Sequence, residues 1–288
     1  MGNEDYIARS AQLALLLEVS AYPKPGNVDR THDFVDTSYM HFLASSVALY
    51  PVLRAAATRE RGVGELVRTG VEESVEWQRG GNTHFGALLL LVPLVMSAGA
   101  CKSYAPDELK EKSEEIMRNT SVEDAIELYR AFPNAKVKVR SEVPEFNLMD
   151  KDSVKELKEK ELSLYDVLSI SAAYDIISRE LVAGFDKTFR YAAWIKISAD
   201  DLGINEAITH AYLKLLSEEE DTFVKLGFGA EKSRYVMARA KEIVSGGYKR
   251  KEIEAFDEEL IKTGVNPGST ADIIVAALFI TILGGLRF

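Results

Sequence analysis

The sequence predicts an all-α protein folded as a single domain over residues 1–288. Apolar residues recur at helical spacing almost throughout, and helix-start signals mark one segment after another. No alternating apolar–polar run extends beyond a few residues, so no sheet is predicted.

The periodicity is clear in the first segment. Ile7, Ala11, Ala14, Leu15 and Glu18 fall on one face, which places a carboxylate at the end of an apolar stripe. Later starts are marked by side chains that can cap free backbone N–H groups. Ser121 with Asp124, Ser163 with Asp166 and Ser217 with Glu220 have capping-box spacing. Asn266-Pro267 reads as an N-cap followed by proline at the first helical position. Asn82 reads as the N-cap of a helix running to about Ser97. The best candidate for extended chain is Ala135 to Val143. The charged stretch from Asp150 to Glu161, "DKDSVKELKEKE", reads as a solvated helix or linker. Together they predict a polar excursion near 133–160.

Composition narrows the function. A net charge of −10 argues against general nucleic-acid binding, which needs a basic face. Cys101 is the only cysteine, which excludes an internal disulfide and a cysteine zinc cage. The longest apolar runs, Ala87 to Met96 and Ile273 to Leu283, fall short of the roughly 20 residues that cross a membrane. Asn3, Glu4 and Asp5 stand where a signal peptide would carry basic residues. These features predict a soluble cytoplasmic protein without membrane or nucleic-acid partners, and leave an oligomer open. No P-loop occurs. "GFGAEK", Gly227 to Lys232, lacks the third glycine and the preceding strand of a dinucleotide fingerprint. His32-Asp33 lacks the upstream histidine that a helical HD-type phosphohydrolase needs.

Three helix edges could hold an anion. In "EVSAYPKPGNVDR", Glu18 to Arg30, Pro23 and Pro25 end the helix and Gly26 permits a positive φ. A turn alone accounts for these residues, but not for a carboxylate on the apolar face before it. Glu18 is either functional or the partner of a buried cation. In "RGGNTHFGALLLL", Arg79 to Leu91, and "NPGSTADIIVAALF", Asn266 to Phe279, a cap and small residues precede an apolar helix. Free N–H groups and the helix dipole favour phosphate there. Asp272 beside the second of these adds a carboxylate suited to Mg²⁺ with phosphate.

Taken together, these stretches resemble the triphosphoribosyl-dephospho-CoA synthase family. "EVSAYPKPGNVDR" is similar to its E-V-x-x-x-P-K-P-G-x-V-D turn, and "HDFVD", His32 to Asp36, more loosely to its H-x-D-M-D segment. "NTHFGALLLL" resembles N-T-H-K-G-A. "EEEDTFVKLGFGAEKSRYV", from Glu218, resembles an acidic D-T-N segment followed by a Gly-Gly turn. "NPGSTADIIVAALF" resembles S-P-G-G-S-A-D-L-L-A. The resemblance implies an all-α enzyme that takes ATP and 3′-dephospho-CoA, releases adenine, and joins the triphosphoribosyl group to a ribose hydroxyl of the acceptor. The chain departs from the pattern at Phe85, where the family has lysine. It also departs at Leu226 and Gly227, near the family's His-Arg pair, and at Ser269, where the family has a second glycine.

Such chemistry needs a base for the incoming hydroxyl and neutralisation of the triphosphate. By resemblance, Glu18 or His84 stands at the reacting atoms, with Glu18 favoured as base. Asp29, Asp36, Asp221 and Asp272 are the expected Mg²⁺ ligands. Lys24, Gly26, Asn82, Thr83, Gly268, Ser269 and Thr270 are the expected nucleotide and phosphate contacts. Two other readings stay open: the same site acting on another acceptor, and a helical nucleotide-binding or scaffold protein without catalysis.

Overall fold

The computed structural model describes residues 2–135 and 153–288. The proposed extended stretch lies outside the described residues beyond Ala135. Among the described residues there is no strand, and the fold is all-α.

The chain opens with α1 (Asn3–Ser20), which stops where the prolines forbid continuation. Then come α2 (Tyr39–Ala48), α3 (Tyr50–Thr58), α4 (Val63–Trp77), α5 (Phe85–Ala100), α6 (Pro106–Arg118) and α7 (Val122–Ala135). Three short helices follow: α8 (Ser153–Glu159), α9 (Leu164–Ser171) and α10 (Ile176–Val182). The C-terminal part holds α11 (Asp186–Leu202), α12 (Ile204–Glu218), α13 (Thr222–Ser245, broken at Gly229), α14 (Arg250–Lys262) and α15 (Gly268–Leu283).

Two helices are apolar on every side, α5 and α15, and so must be enclosed by others. Their side chains are buried nearly end to end. α15 packs against α1, α5, α11 and α12, and α1 in turn against α2 and α3. One continuous apolar core results, from Ile7 to Leu283. No helix among the described residues is long and apolar enough to cross a membrane.

The start signals hold in part. Ser163 and Asp166 form a reciprocal capping box on α9. Ser121 and Asp124 exchange the same bonds before α7. The charged stretch is helical over α8. Ser217, in contrast, sits inside α12 with its hydroxyl on Lys214 O at 2.7 Å, and the next helix is capped by Asp221 through Val224 N at 3.0 Å. A Ser-x-x-Glu spacing inside a helix exposes no free N–H, so it cannot cap. Pro267 itself is the N-cap of α15, one residue later than expected. α5 begins at Phe85 rather than just after Asn82, although Asn82 Oδ1 still accepts from Phe85 N at 3.1 Å.

Helix α4 meets α7 closely because Gly64 has no side chain. A Cβ there would stand 2.0 Å from the carbonyl oxygen of Asp124. A backbone carbonyl cannot swing aside as a side chain can. Gly64→Ala should therefore destabilise, because overpacking costs about 1–3 kcal/mol while the gain in helix propensity is at most about 1 kcal/mol. Chemical unfolding checks this, and an unchanged or raised stability would contradict it.

Candidate active site

The site begins with the turn after α1. Gly26 has φ +75°, and a Cβ there would stand 2.3 Å from Val265 O. Only glycine fits both conditions. Gly26 N donates to Asp257 Oδ1 at 2.9 Å, and the Tyr212 hydroxyl donates to Pro25 O at 3.0 Å. Held this way, the turn points Lys24 inward. Its side chain is fully buried, and Nζ donates to Glu18 Oε1 at 2.5 Å and Asn27 Oδ1 at 3.1 Å. Glu18 is 3% exposed. Burial pushes its carboxyl above the ordinary range, and the neighbouring Asp29 charge adds to this against the pull of Lys24. The expected phosphate contact at Lys24 is thus engaged elsewhere: its ammonium faces Glu18 and does not line the cleft.

That cleft has about 230 Å³ of room. Glu18, Asn27, Asn82, Thr83, His84, Gly268, Ser269 and Asp272 line its polar side. α7 and α9 supply an apolar wall that includes Leu128, Phe132, Val167 and Leu168. The described lining residues include no Lys or Arg. Phe85 and Leu226, both departures from the family pattern, line the cleft as well. Phe85 packs on Phe132 with ring centroids 5.1 Å apart.

His84 is 4% exposed, and its Nδ1 lies 2.8 Å from Ser45 Oγ. Ser45, Ser74 and Thr83 form a triangle of hydroxyls with sides of 2.7, 3.0 and 3.1 Å. No carboxylate pairs with the ring, and burial pulls its pKa down to about 3. The imidazole is therefore neutral near pH 7, and is suited to hydrogen bonding rather than to taking a proton. Thr83 is engaged in the triangle beneath it.

Asp272 lies just past the first turn of α15 and faces α5. Its carboxylate presses on Gly86, where a Cβ would stand 2.1 Å from Oδ2, and it accepts from Ala87 N. Burial raises its pKa, and the charges of Glu18 and Asp221 raise it further.

The other expected metal ligands lie elsewhere. Asp221 is 1% exposed, and its Oδ2 accepts from Thr270 N at 2.7 Å and Thr270 Oγ1 at 2.8 Å. It joins the starts of α13 and α15, and Thr270 is turned to it rather than to the cleft. Burial raises its pKa to about 6. Asp36 is exposed, with Oδ1 accepting from the Thr37 hydroxyl at 3.2 Å. Asp29 is buried, does not line the cleft and is grouped with His32 and Asp257. The four aspartates therefore do not form one metal site. Gly26 is a turn residue and does not line the cleft. The two helix ends expected to attract phosphate are already met by carboxylates: Asp272 at α5 and Asp221 at α15.

Four site residues carried no local signal in the sequence. Ser45 and Ser74 sit in ordinary helical surroundings, Asp175 is the N-cap of α10 at the cleft wall, and Asp257 lies within a charged amphipathic helix. Only the fold brings them to the site.

The depressed pKa of His84 has a pH consequence. In the unfolded chain His84 titrates near 6.5, so between 6.5 and 3 the unfolded chain binds the additional proton. Its contribution is fully present above pH 6.5 and is lost as pH falls through this window, by up to about 1.4 kcal/mol per pH unit. Ring NMR shifts of His84 should stay flat from pH 5 to 8. A midpoint near 6.5 would contradict this account.

The family model for ATP:dephospho-CoA triphosphoribosyl transferase matches residues 4–287. Among solved structures, the chain is similar to a candidate triphosphoribosyl-dephospho-CoA synthase from Archaeoglobus fulgidus. The two are 29% identical with a TM-score of 0.73, over 87% of this chain and 100% of that one. None of the curated proteins matches. With a family match over almost its whole length, and a cleft built from the same ordered segments, the chain belongs to the ATP:dephospho-CoA triphosphoribosyl transferase family.

Proposed function

We propose that this transferase moves the triphosphoribosyl group of ATP to a ribose hydroxyl of 3′-dephospho-CoA and releases adenine, with Mg²⁺, in the cytoplasm. The observation that carries the reading is the meeting of Glu18, His84 and Asp272 in one cleft, from three segments far apart in sequence. In the reaction the acceptor oxygen bonds to C1′ of the ATP ribose as the C1′–N9 bond breaks. The hydroxyl proton passes to Glu18, adenine takes a proton from water onto its ring as it leaves, and Glu18 returns its proton to solvent, so the reaction releases no net proton. The transition state is oxocarbenium-like, as in glycoside cleavage. Lys24 holds the Glu18 carboxylate in place, and the neutral His84 ring offers a hydrogen bond. Ser269 and Asn82, which line the cleft, would contact the bound nucleotide.

Mg²⁺ fits the donor chemistry of the cleft. The Glu18 charge raises the cost of ionising Asp272, and no described Lys or Arg lines the wall to relieve it. Asp272 would hold the ion together with substrate phosphates and water. When bound, the ion supplies charge neutralisation for the triphosphate.

A second reading, the same transfer to a different acceptor, is favoured by Phe85 and Leu226. Both put apolar surface where the resemblance implies cations.

Incubation with ATP, Mg²⁺ and dephospho-CoA should release free adenine, read by chromatography. Adenine formed equally well without dephospho-CoA would favour another acceptor, and no adenine under any condition would contradict transfer. Glu18→Gln should lower turnover about 10²–10⁴-fold. Because this change also leaves Lys24 unpaired, the double variant Glu18→Gln with Lys24→Met separates folding from catalysis. It should fold and remain inactive, and normal release from it would overturn the base assignment.

A further inference from the structure

The turn that carries Lys24 has a second face, away from the cleft. There Asp29, His32 and Asp257 converge, with one possible ligand atom from each within 4.8 Å of the others. Asp29 and Asp257 are 0% and 1% exposed. Each uses one carboxylate oxygen to hold the turn. Asp29 Oδ1 accepts from Thr31 N and Thr31 Oγ1, both at 2.7 Å, and from His32 N at 3.2 Å. Asp257 Oδ1 accepts from Gly26 N at 2.9 Å. The second oxygen of each, Oδ2, is buried without a hydrogen bond. His32 Nδ1 shares a hydrogen bond with Thr31 Oγ1 at 3.1 Å and stands 3.2 Å from Asp257 Oδ2 and 3.8 Å from Asp29 Oδ1, so an ion would take the place of the Thr31 contact. The imidazole is partly exposed, so the group has an opening to solvent.

Buried carboxylate oxygens are rarely left without partners. Here both belong to carboxylates grouped with one imidazole, and the Lys24 ammonium is hydrogen-bonded to Glu18 and Asn27 instead. We propose that Asp29, His32 and Asp257 bind a divalent transition-metal ion such as Mn²⁺ or Zn²⁺, which clips the turn at residues 26–32 to α14. Imidazole with two carboxylates suits such ions, whereas Mg²⁺ and Ca²⁺ prefer oxygen ligands. Ligand bonds of about 2.0–2.2 Å bring donors slightly closer together than they stand here, so a small contraction completes the site. None of the three residues lines the cleft, so this ion is separate from the one proposed to accompany the triphosphate. The site does not depend on the transfer reaction.

The test uses the full-length protein stripped with chelator, without nucleotide. Mn²⁺ is titrated by electron paramagnetic resonance, Zn²⁺ by calorimetry, and melting is followed with and without each ion. The expected result is one equivalent bound with a rise in melting temperature. His32→Ala removes a partly exposed ligand, so the fold should survive. Affinity should fall at least about tenfold, the loss that even outer-shell partners of a metal produce. Asp257→Asn should do the same, and Asp272→Asn should leave binding unchanged. No uptake by the unaltered protein, uptake unaffected by His32→Ala, or uptake lost in Asp272→Asn would each overturn the proposal.

Discussion

The rest of the site depends on the buried ion pair between Lys24 and Glu18. Removing two charges from water costs several kcal/mol per ion, and their attraction offsets this only when the geometry is good. The chain must therefore place the ammonium against the carboxylate within narrow limits. Pro23, Pro25 and Gly26 do so by reversing the chain directly after α1. Asn27, which also accepts from Lys24, donates to Asn266 Oδ1 at 3.0 Å at the entry to α15. One constraint thus joins the end of the first helix, the turn and the start of the last helix. It also brings a carboxylate to the cleft that is held in one position.

A second constraint is electrostatic. The starts of α5 and α15 both point toward the site, and each is met by a buried or half-buried aspartate from another segment. The carboxylates that satisfy the helix ends also remove the sites that phosphate would otherwise take. Gly86 allows the closer of these contacts, since any side chain there would displace Asp272. With Phe85 and Leu226 in place of cations, the described cleft is lined by carboxylates and apolar surface without Lys or Arg. Polyphosphate binding in such a cleft calls for a cation brought with the substrate.

Much of this was legible in the sequence. The all-α fold follows from the 3.6-residue periodicity and from two helices too apolar to be anything but central. Glu18 stood out because a carboxylate ended an apolar stripe, and of its two readings the partner of a buried cation is the one seen in the fold, with Lys24. What stayed hidden was long-range. Nothing near Lys24 shows that it turns inward, because the reversal depends on Asp257 and Val265. Asp221 and Asp29 carry the same signal as Asp272, yet the fold assigns one to helix ends and the other to the buried group with His32 and Asp257. Ser217 misled for a local reason: capping spacing has meaning only where backbone N–H groups are free.

The account is tested most directly by a double-mutant cycle on Glu18 and Lys24, measured by denaturant unfolding. Glu18→Gln and Lys24→Met should each cost about 3–5 kcal/mol, because each strands a buried charge. The double variant should cost clearly less than the sum, with a coupling of at least about 1 kcal/mol. Additive losses would contradict the claim that this pair holds the site together.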